Sequence, residues 1–236
     1  MDPENGQTQR RMYNKNESLI VWSDEHLVVI NKPAGLRSII DGYDASLPHL
    51  RSEFEPLLGR LWIVHRLDKD TSGLIVIARN AKAHRNLNLQ FDQSRVHKLY
   101  HTVVIGMPEW QTKIITLPLR KDGDRQHRTI VDRQHGKPAR TEFAVLKMGN
   151  GRCLLEVKPY TGRTHQIRAH LAAIGHPIAN DRLYGNQAII SSDTRMALHA
   201  CTLGFEHPIT GKDLSFQVPD PDLFQRLLHD QCTGET

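Results

Sequence analysis

The feature that most restricts this chain is the join at residue 73. His65-Arg66-Leu67-Asp68-Lys69-Asp70-Thr71-Ser72 is polar and reactive, while Gly73-Leu74-Ile75-Val76-Ile77-Ala78 carries no polar side chain at all. A short run rich in Ile and Val and bounded by turn residues has no face to offer to water, which marks a strand buried on both sides of a sheet. The pattern predicts that strand over Gly73 to Ala78, with His65 to Ser72 forming its mouth. Asp68 then sits between Arg66 and Lys69 on a backbone anchored in the core, conditions that hold a carboxylate ionised and fixed in place. Asp, Thr and Ser in such a cluster also build turns by bonding nearby amides. The residues alone leave a turn role and a chemical role open for Asp68.

Around this join the pattern is α+β. Leu19 to Trp22 and Leu27 to Asn31 read as strands flanking a Ser-Asp-Glu-His turn, and Pro33 and Gly35 end the second of them. From Leu47 the apolar positions Leu50, Phe54, Leu57 and Leu58 follow helical spacing, with Gly59 at the C-cap. Asn80 is the expected N-cap of a helix through about Gln93. Leu99 to Ile105, Lys113 to Leu119, Arg128 to Asp132, Arg140 to Lys147 and Cys153 to Val157 follow as strands. Because no helix separates them, they are expected to pair antiparallel. A helix over Thr164 to Ile174, strands at Ala197 to Phe205 and Leu214 to Val218, and a short helix from Asp222 to about His229 complete the reading.

A chain of 236 residues is long enough for a substantial core. The polar residues 1–17 are expected to fray, and 18–236 to form one domain. The net charge of +5 and sequence pI near 9.2 favour a polyanionic partner. Cys153, Cys201 and Cys232 are widely separated and odd in number, which fits neither a disulfide framework nor a zinc knuckle and suits a reducing cytoplasm. No apolar run is long enough to span a bilayer. His165 and His170 are five apart and so do not share a helical face as an i, i+4 metal pair would; no metal is expected. His-Arg-Leu-Asp differs from a kinase catalytic loop, in which Asp follows Arg directly, and no glycine-rich phosphate loop accompanies it.

His65-Arg66-Leu67-Asp68 with Thr71-Ser72-Gly73 resembles the signature of the RluA-type pseudouridine synthases. Three further segments agree with that family in order and spacing: Val29-Ile30-Asn31-Lys32-Pro33-Ala34-Gly35, Lys98-Leu99-Tyr100, and Gly162 through Leu171 with its Arg163-Thr164-His165-Gln166-Ile167-Arg168 core. Leu198-His199-Ala200 and Phe205-Glu206-His207-Pro208 match its closing strands. The resemblance implies a mixed, largely antiparallel central sheet in two lobes with a catalytic cleft between them and few flanking helices. It implies isomerisation of specific uridines in ribosomal or transfer RNA.

The resemblance also assigns roles. Asp68 matches the essential carboxylate, acting as nucleophile on ribose or as base on the sugar, whereas Asp70 does not match it. Tyr100 matches the tyrosine that stacks on uracil, and Arg168, or alternatively Arg163, the arginine that pairs with the carboxylate. Arg66 is expected to fill the gap left by a flipped base, and Lys32, Lys98 and Arg163 to contact RNA. The reaction exchanges no electrons, so no cofactor is expected. The partner is RNA, without membrane or metal, and the protein a cytoplasmic monomer with no appended RNA-binding domain. A competing reading from another class is a non-catalytic RNA-binding module on the same fold, which would require loss of Asp68, Tyr100 or Arg168; all three are present.

Overall fold

The structure, a computed structural model, describes residues 16–185 and 195–229. The expectation for residues 1–17 thus lies, up to residue 15, outside the described residues. The chain divides into two units: Met1–His97 with Thr202–Val218, and Lys98–Cys201 with Pro219–Thr236. The protein is α+β with largely antiparallel pairing, as expected.

In the first unit, β1 (Ile20–Ser23) pairs antiparallel with β2 (Leu27–Lys32), and β2 with β4 (Ser72–Ala78). All of β4 is buried, the outcome its uninterrupted apolar run predicts. A two-residue strand, β3 (Trp62–Ile63), also pairs with β4; it is too short to produce a readable alternation. Leu27 and Val29 of β2 and Leu74, Val76 and Ala78 of β4 form one apolar layer with Ala83 and Leu87 of a helix (α2, Ala81–Asp92). The Asn80 side chain caps α2 by accepting from the Ala83 amide at 2.9 Å. Gln90 fixes the far end: its amide donates to the Glu206 carbonyl at 2.7 Å and accepts from the Glu206 amide at 3.0 Å, so a buried polar group is satisfied by strand backbone. The earlier helix, α1 (Leu50–Leu58), begins three residues later than its periodicity predicts. His49 Nδ1 accepts from the Ser52 amide at 2.8 Å while Ser52 Oγ accepts from the His49 amide at 2.9 Å, a capping box in which histidine replaces the usual hydroxyl.

In the second unit, β5 (His97–Ile105), β10 (Arg152–Pro159), β9 (Thr141–Gly149) and β6 (Thr112–Ile115) lie side by side in that order, each pair antiparallel. The strand expected over Lys113 to Leu119 is instead broken. Pro118 has no amide to give a ladder, and beyond it β7 (Leu119–Arg120) forms a separate hairpin with β8 (Ile130–Val131). Val103, Phe143, Leu155 and Val157 make the core with Ile167 and Leu171 of helix α3 (Gln166–Ala173) and with Leu223, Phe224 and Leu227 of helix α4 (Asp222–His229). Gly149 permits the close approach of β9 to α4, since a Cβ there would lie 2.6 Å from the Leu228 carbonyl oxygen. The last two strands are β11 (Leu198–Glu206) and β12 (Asp213–Gln217), which pair antiparallel from Thr202 onward within the first unit. No helix among the described residues is long and apolar enough to cross a membrane.

An ion pair fixes the entry to α4. His101 on β5 holds Asp220 through Nδ1 at 2.8 Å, with Glu156 at 4.0 Å from Nε2. The hydrogen bond to Asp220, followed by that to Cys201, pushes the His101 imidazole up to about 10. A histidine raised in the folded state above its unfolded value, about 6.5, stabilises fully below that value and loses the contribution as pH climbs toward 10. Asp220→Asn should therefore lower the melting temperature by about 5 °C near pH 6. That estimate takes a charged hydrogen bond as about 2 kcal/mol and about 2 to 4 °C per kcal/mol. The gap to wild type should narrow progressively by pH 9.5. A gap that stays constant from pH 6 to 10 would contradict the assignment.

Candidate active site

Three expected residues lie in the first unit. Lys32 is the last residue of β2 and sits opposite Gly73 at the start of β4. It is completely buried, and its ammonium donates to the carbonyls of Pro33 at 2.9 Å, Leu36 at 2.8 Å and Lys69 at 3.1 Å. Lys32 was expected to contact RNA; in the structure its ammonium is covered and turned to backbone carbonyls. A covered ammonium serves the backbone, because a charge taken from water must be met by several dipoles. The same Lys69 carbonyl accepts from the Gly35 amide at 2.8 Å. The Lys32-Pro33-Ala34-Gly35 turn is thus tied directly to the segment carrying Asp68.

A second tie fixes that segment from the other side. The buried Ser38 hydroxyl donates to the Leu67 carbonyl at 2.8 Å and accepts from the Leu67 amide at 3.0 Å. Both polar groups of the peptide units flanking Leu67 are therefore held by one side chain 29 residues away in sequence. The Thr71 amide closes a turn on the Asp68 carbonyl at 3.1 Å. Gly73 then enters β4 at φ 110°, a conformation that L side chains rarely adopt, which explains glycine after Thr71-Ser72. Upstream, His65 Nε2 accepts from the Val76 amide at 3.1 Å and its ring stacks on Phe91 at 4.3 Å, so His65 is a packing element of α2 and β4. Asp68 emerges half-buried between these anchors, while Arg66, Lys69 and Asp70 are exposed.

The remaining expected residues lie in the second unit. Tyr100 and Lys98 are on β5, both half-buried; Tyr100 pairs across to Val157 and packs against the core. Burial lowers the Lys98 ammonium below the usual lysine range. Helix α3 carries Arg168, and it starts at Gln166, two residues later than predicted, because His165 takes a left-handed conformation at φ 51°. Gln166 anchors that start. Its Nε2 donates to the Arg140 carbonyl at 3.0 Å and to Thr141 Oγ1 at 2.9 Å, and its Oε1 accepts from Thr161 Oγ1 at 2.7 Å and the Arg163 amide at 3.0 Å. One turn on, His170 Nε2 donates to the Leu117 carbonyl at 2.9 Å and Nδ1 meets Thr141 Oγ1 at 2.9 Å; desolvation lowers this imidazole and favours its neutral form. Both histidines of the motif are structural. His165 Nδ1 lies 3.2 Å from the Tyr184 hydroxyl.

Arg168 is buried and meets Asp181 as a two-pronged pair, Nε to Oδ2 at 2.8 Å and Nη2 to Oδ1 at 2.9 Å. Its guanidinium also lies 5.0 Å from the centre of the Tyr184 ring. Tyr184 is itself fixed, donating to the Thr129 carbonyl at 3.0 Å and accepting from the Thr129 amide at 2.9 Å, and burial raises its phenol above the ordinary range. Asp181 and Tyr184 escaped the sequence analysis. The available signal was Asp181-Arg182-Leu183-Tyr184-Gly185, an Asx-turn pattern: Asp181 Oδ1 accepts from the amides of Leu183 at 2.9 Å and Tyr184 at 3.1 Å. Arg163, exposed, donates Nε to the Pro138 carbonyl at 3.0 Å. The structure therefore brings Lys32 against the Asp68 segment in one unit, and Arg163, Gln166 and Arg168 onto one helix start in the other.

Known proteins resemble this chain in sequence and in fold. The RNA pseudouridylate synthase family profile matches residues 26–173, which includes Lys32, Asp68, Tyr100 and Arg168. Ribosomal large subunit pseudouridine synthase D of Zymomonas mobilis is 38% identical over 224 residues, covering 88% of this chain and 71% of the relative. Dual-specificity RNA pseudouridine synthase RluA of Salmonella typhimurium is 37% identical over 202 residues, covering 85% and 92%. Among solved structures, human RNA pseudouridylate synthase domain containing 1 superposes with a TM-score of 0.74 at 28% identity, covering 86% of this chain and 83% of that one. With its family profile matched across residues 26–173 and relatives of this identity matched over most of their length, the chain belongs to the RNA pseudouridylate synthase family.

Proposed function

We propose that this protein converts specific uridines to pseudouridine in structured RNA, a loop of transfer RNA or of large-subunit ribosomal RNA, with Asp68 as its essential carboxylate. The observation that carries this reading is the double grip of Ser38 on Leu67, which fixes the backbone immediately before Asp68. The names of its relatives, one a ribosomal large-subunit enzyme and one a dual-specificity RNA enzyme, support the substrate class.

The chemistry asks little beyond these side chains. The bond from ribose C1′ to uracil N1 breaks, the base turns, C5 bonds to C1′, and the proton on C5 leaves. Asp68 takes part at the sugar, either by attacking C1′ or by removing a ribose proton to leave an unsaturated sugar; both routes use the ionised carboxylate. Arg168 is the proposed cationic partner of that carboxylate. Its pairing with Asp181 holds the guanidinium plane. Tyr100 offers a flat ring for uracil to stack on and an oxygen to accept the C5 proton. Arg66, exposed at the mouth of β4, fills the space in the stack from which the uridine is flipped, an event costing a few kcal/mol. No electron or phosphate is transferred, so the reaction can run on amino-acid side chains.

Asp68→Asn keeps the shape of the side chain and removes its charge. With RNA tritiated at uridine C5, release of tritium to water should fall by roughly a thousandfold or more, the scale of loss for groups that take part in bond making. Asp70→Asn should keep most of the rate. Comparable rates for Asp68→Asn and wild type would refute the role of Asp68.

Substrate choice follows from A-form geometry, which hides base edges in a deep groove, and from the added cost of unpairing a base. An isolated stem-loop carrying the target should be modified at nearly the rate of the parent RNA, and the same uridine locked in a continuous duplex at least about tenfold more slowly. Modification in an intact ribosomal particle but never in a free stem-loop would contradict this.

A further inference from the structure

We infer that Tyr160 and the cations gathered on it form a phosphate-binding surface for RNA flanking the modified nucleotide. The inference rests on the proposed function and adds a surface to it. Tyr160 is exposed just past the end of β10, and its ring is held at both ends: its hydroxyl donates to Glu142 Oε2 at 2.5 Å and its amide to the Arg140 carbonyl at 3.0 Å. Two cations rest against the ring, the Arg140 guanidinium carbon at 4.6 Å from its centre and Lys158 Nζ at 5.2 Å. The Glu142–Lys158 and Thr141–Pro159 pairings of β9 with β10 bring these side chains together.

The charge balance distinguishes this patch. Arg37, Arg51, Arg120 and Arg128 each pair with an aspartate or glutamate. Arg140, Lys158 and Arg163 have no ion pair among the described residues, and Glu142, directly across from Lys158, is engaged by the phenol. Two of these cations rest on the Tyr160 ring, and Arg163 lies at the helix start that Gln166 ties to Arg140. Contact with an aromatic ring holds an exposed cation by about 0.5 to 1 kcal/mol, enough to order the side chain without satisfying its charge. An ordered guanidinium fork beside an ammonium matches the oxygens of a phosphodiester chain. The patch is also fixed relative to Arg168, because Gln166, two residues before it on the same helix, grips the Arg140 carbonyl. A strand bound here is therefore registered against the helix that carries Arg168.

The test is the double variant Arg140→Ala/Lys158→Ala, with Lys82→Ala, exposed on α2, as the comparison charge loss. Binding is measured with fluorescein-labelled bulk transfer RNA, and conversion with RNA tritiated at uridine C5. For the double variant, Kd should rise about tenfold at 0.1 M salt. The slope of log K against log salt should flatten by about 1.4, two contacts at about 0.7 each on single strands. KM should rise with Kd while kcat changes less than about threefold. Tyr160→Leu, which frees both cations, should weaken binding by a smaller factor of about three. Lys82→Ala should leave Kd within a factor of two. An unchanged Kd and salt slope in the double variant would overturn the inference, as would an equal loss in Lys82→Ala. Loss of binding to poly-L-glutamate with RNA affinity retained would assign the surface to an acidic protein and also overturn it. If wild type binds RNA but releases no tritium, the proposed activity fails, whereas the binding comparison still decides the surface.

Discussion

The mouth of β4 depends on a backbone constraint rather than on any side chain of the motif itself. Ser38 grips both sides of Leu67, and Lys32 grips the Lys69 carbonyl, so the peptide on either side of Asp68 is tied to the segment after β2. These ties are buried, where breaking a hydrogen bond leaves a polar group unsatisfied at about 1 to 3 kcal/mol. In the proposed reaction, a carboxylate on such a backbone would not have to be ordered when substrate arrives, which is how a fixed scaffold lowers a barrier. β4 supplies the anchor itself, buried along its whole length and paired with β2 from Gly73 to Ala78 and with the short β3 at its end.

The second unit reaches the same end through polar side chains. Gln166, His170 and Thr141 form a buried network in which each group finds partners, and Arg168 is clamped by Asp181 beneath the ring of Tyr184. Such networks specify a single arrangement when fully satisfied. The left-handed residue His165 at the helix start is the local cost of aiming α3 as it runs.

Much of this was legible in order of sequence. The apolar run of β4, the Asn80 cap of α2, the antiparallel succession through β10 and the amphipathic α4 follow from local pattern, and local pattern is what periodicity reports. The resemblance carried Asp68, Tyr100 and Arg168. What was not legible depends on distance along the chain. Whether Lys32 contacts phosphate or structure is open in the sequence until the Lys69 carbonyl, 37 residues away, is seen beside it. Asp181 lies 13 residues beyond Arg168 in a stretch that looks like an ordinary turn. The break at Pro118 was visible in the sequence, but a single proline does not say whether a strand bends or ends there.

The account's central claim, that this chain is a site-specific pseudouridine synthase acting through Asp68, is tested most directly in the cell. Pseudouridine should be mapped across all transfer and ribosomal RNA in strains with the protein, without it, and with the Asp68→Asn form supplied in its place. The account predicts one or a few discrete uridines that lose the modification when the protein is absent, regain it with wild type, and stay unmodified with the variant. An identical map in all three strains, or restoration of the lost sites by Asp68→Asn, would contradict it.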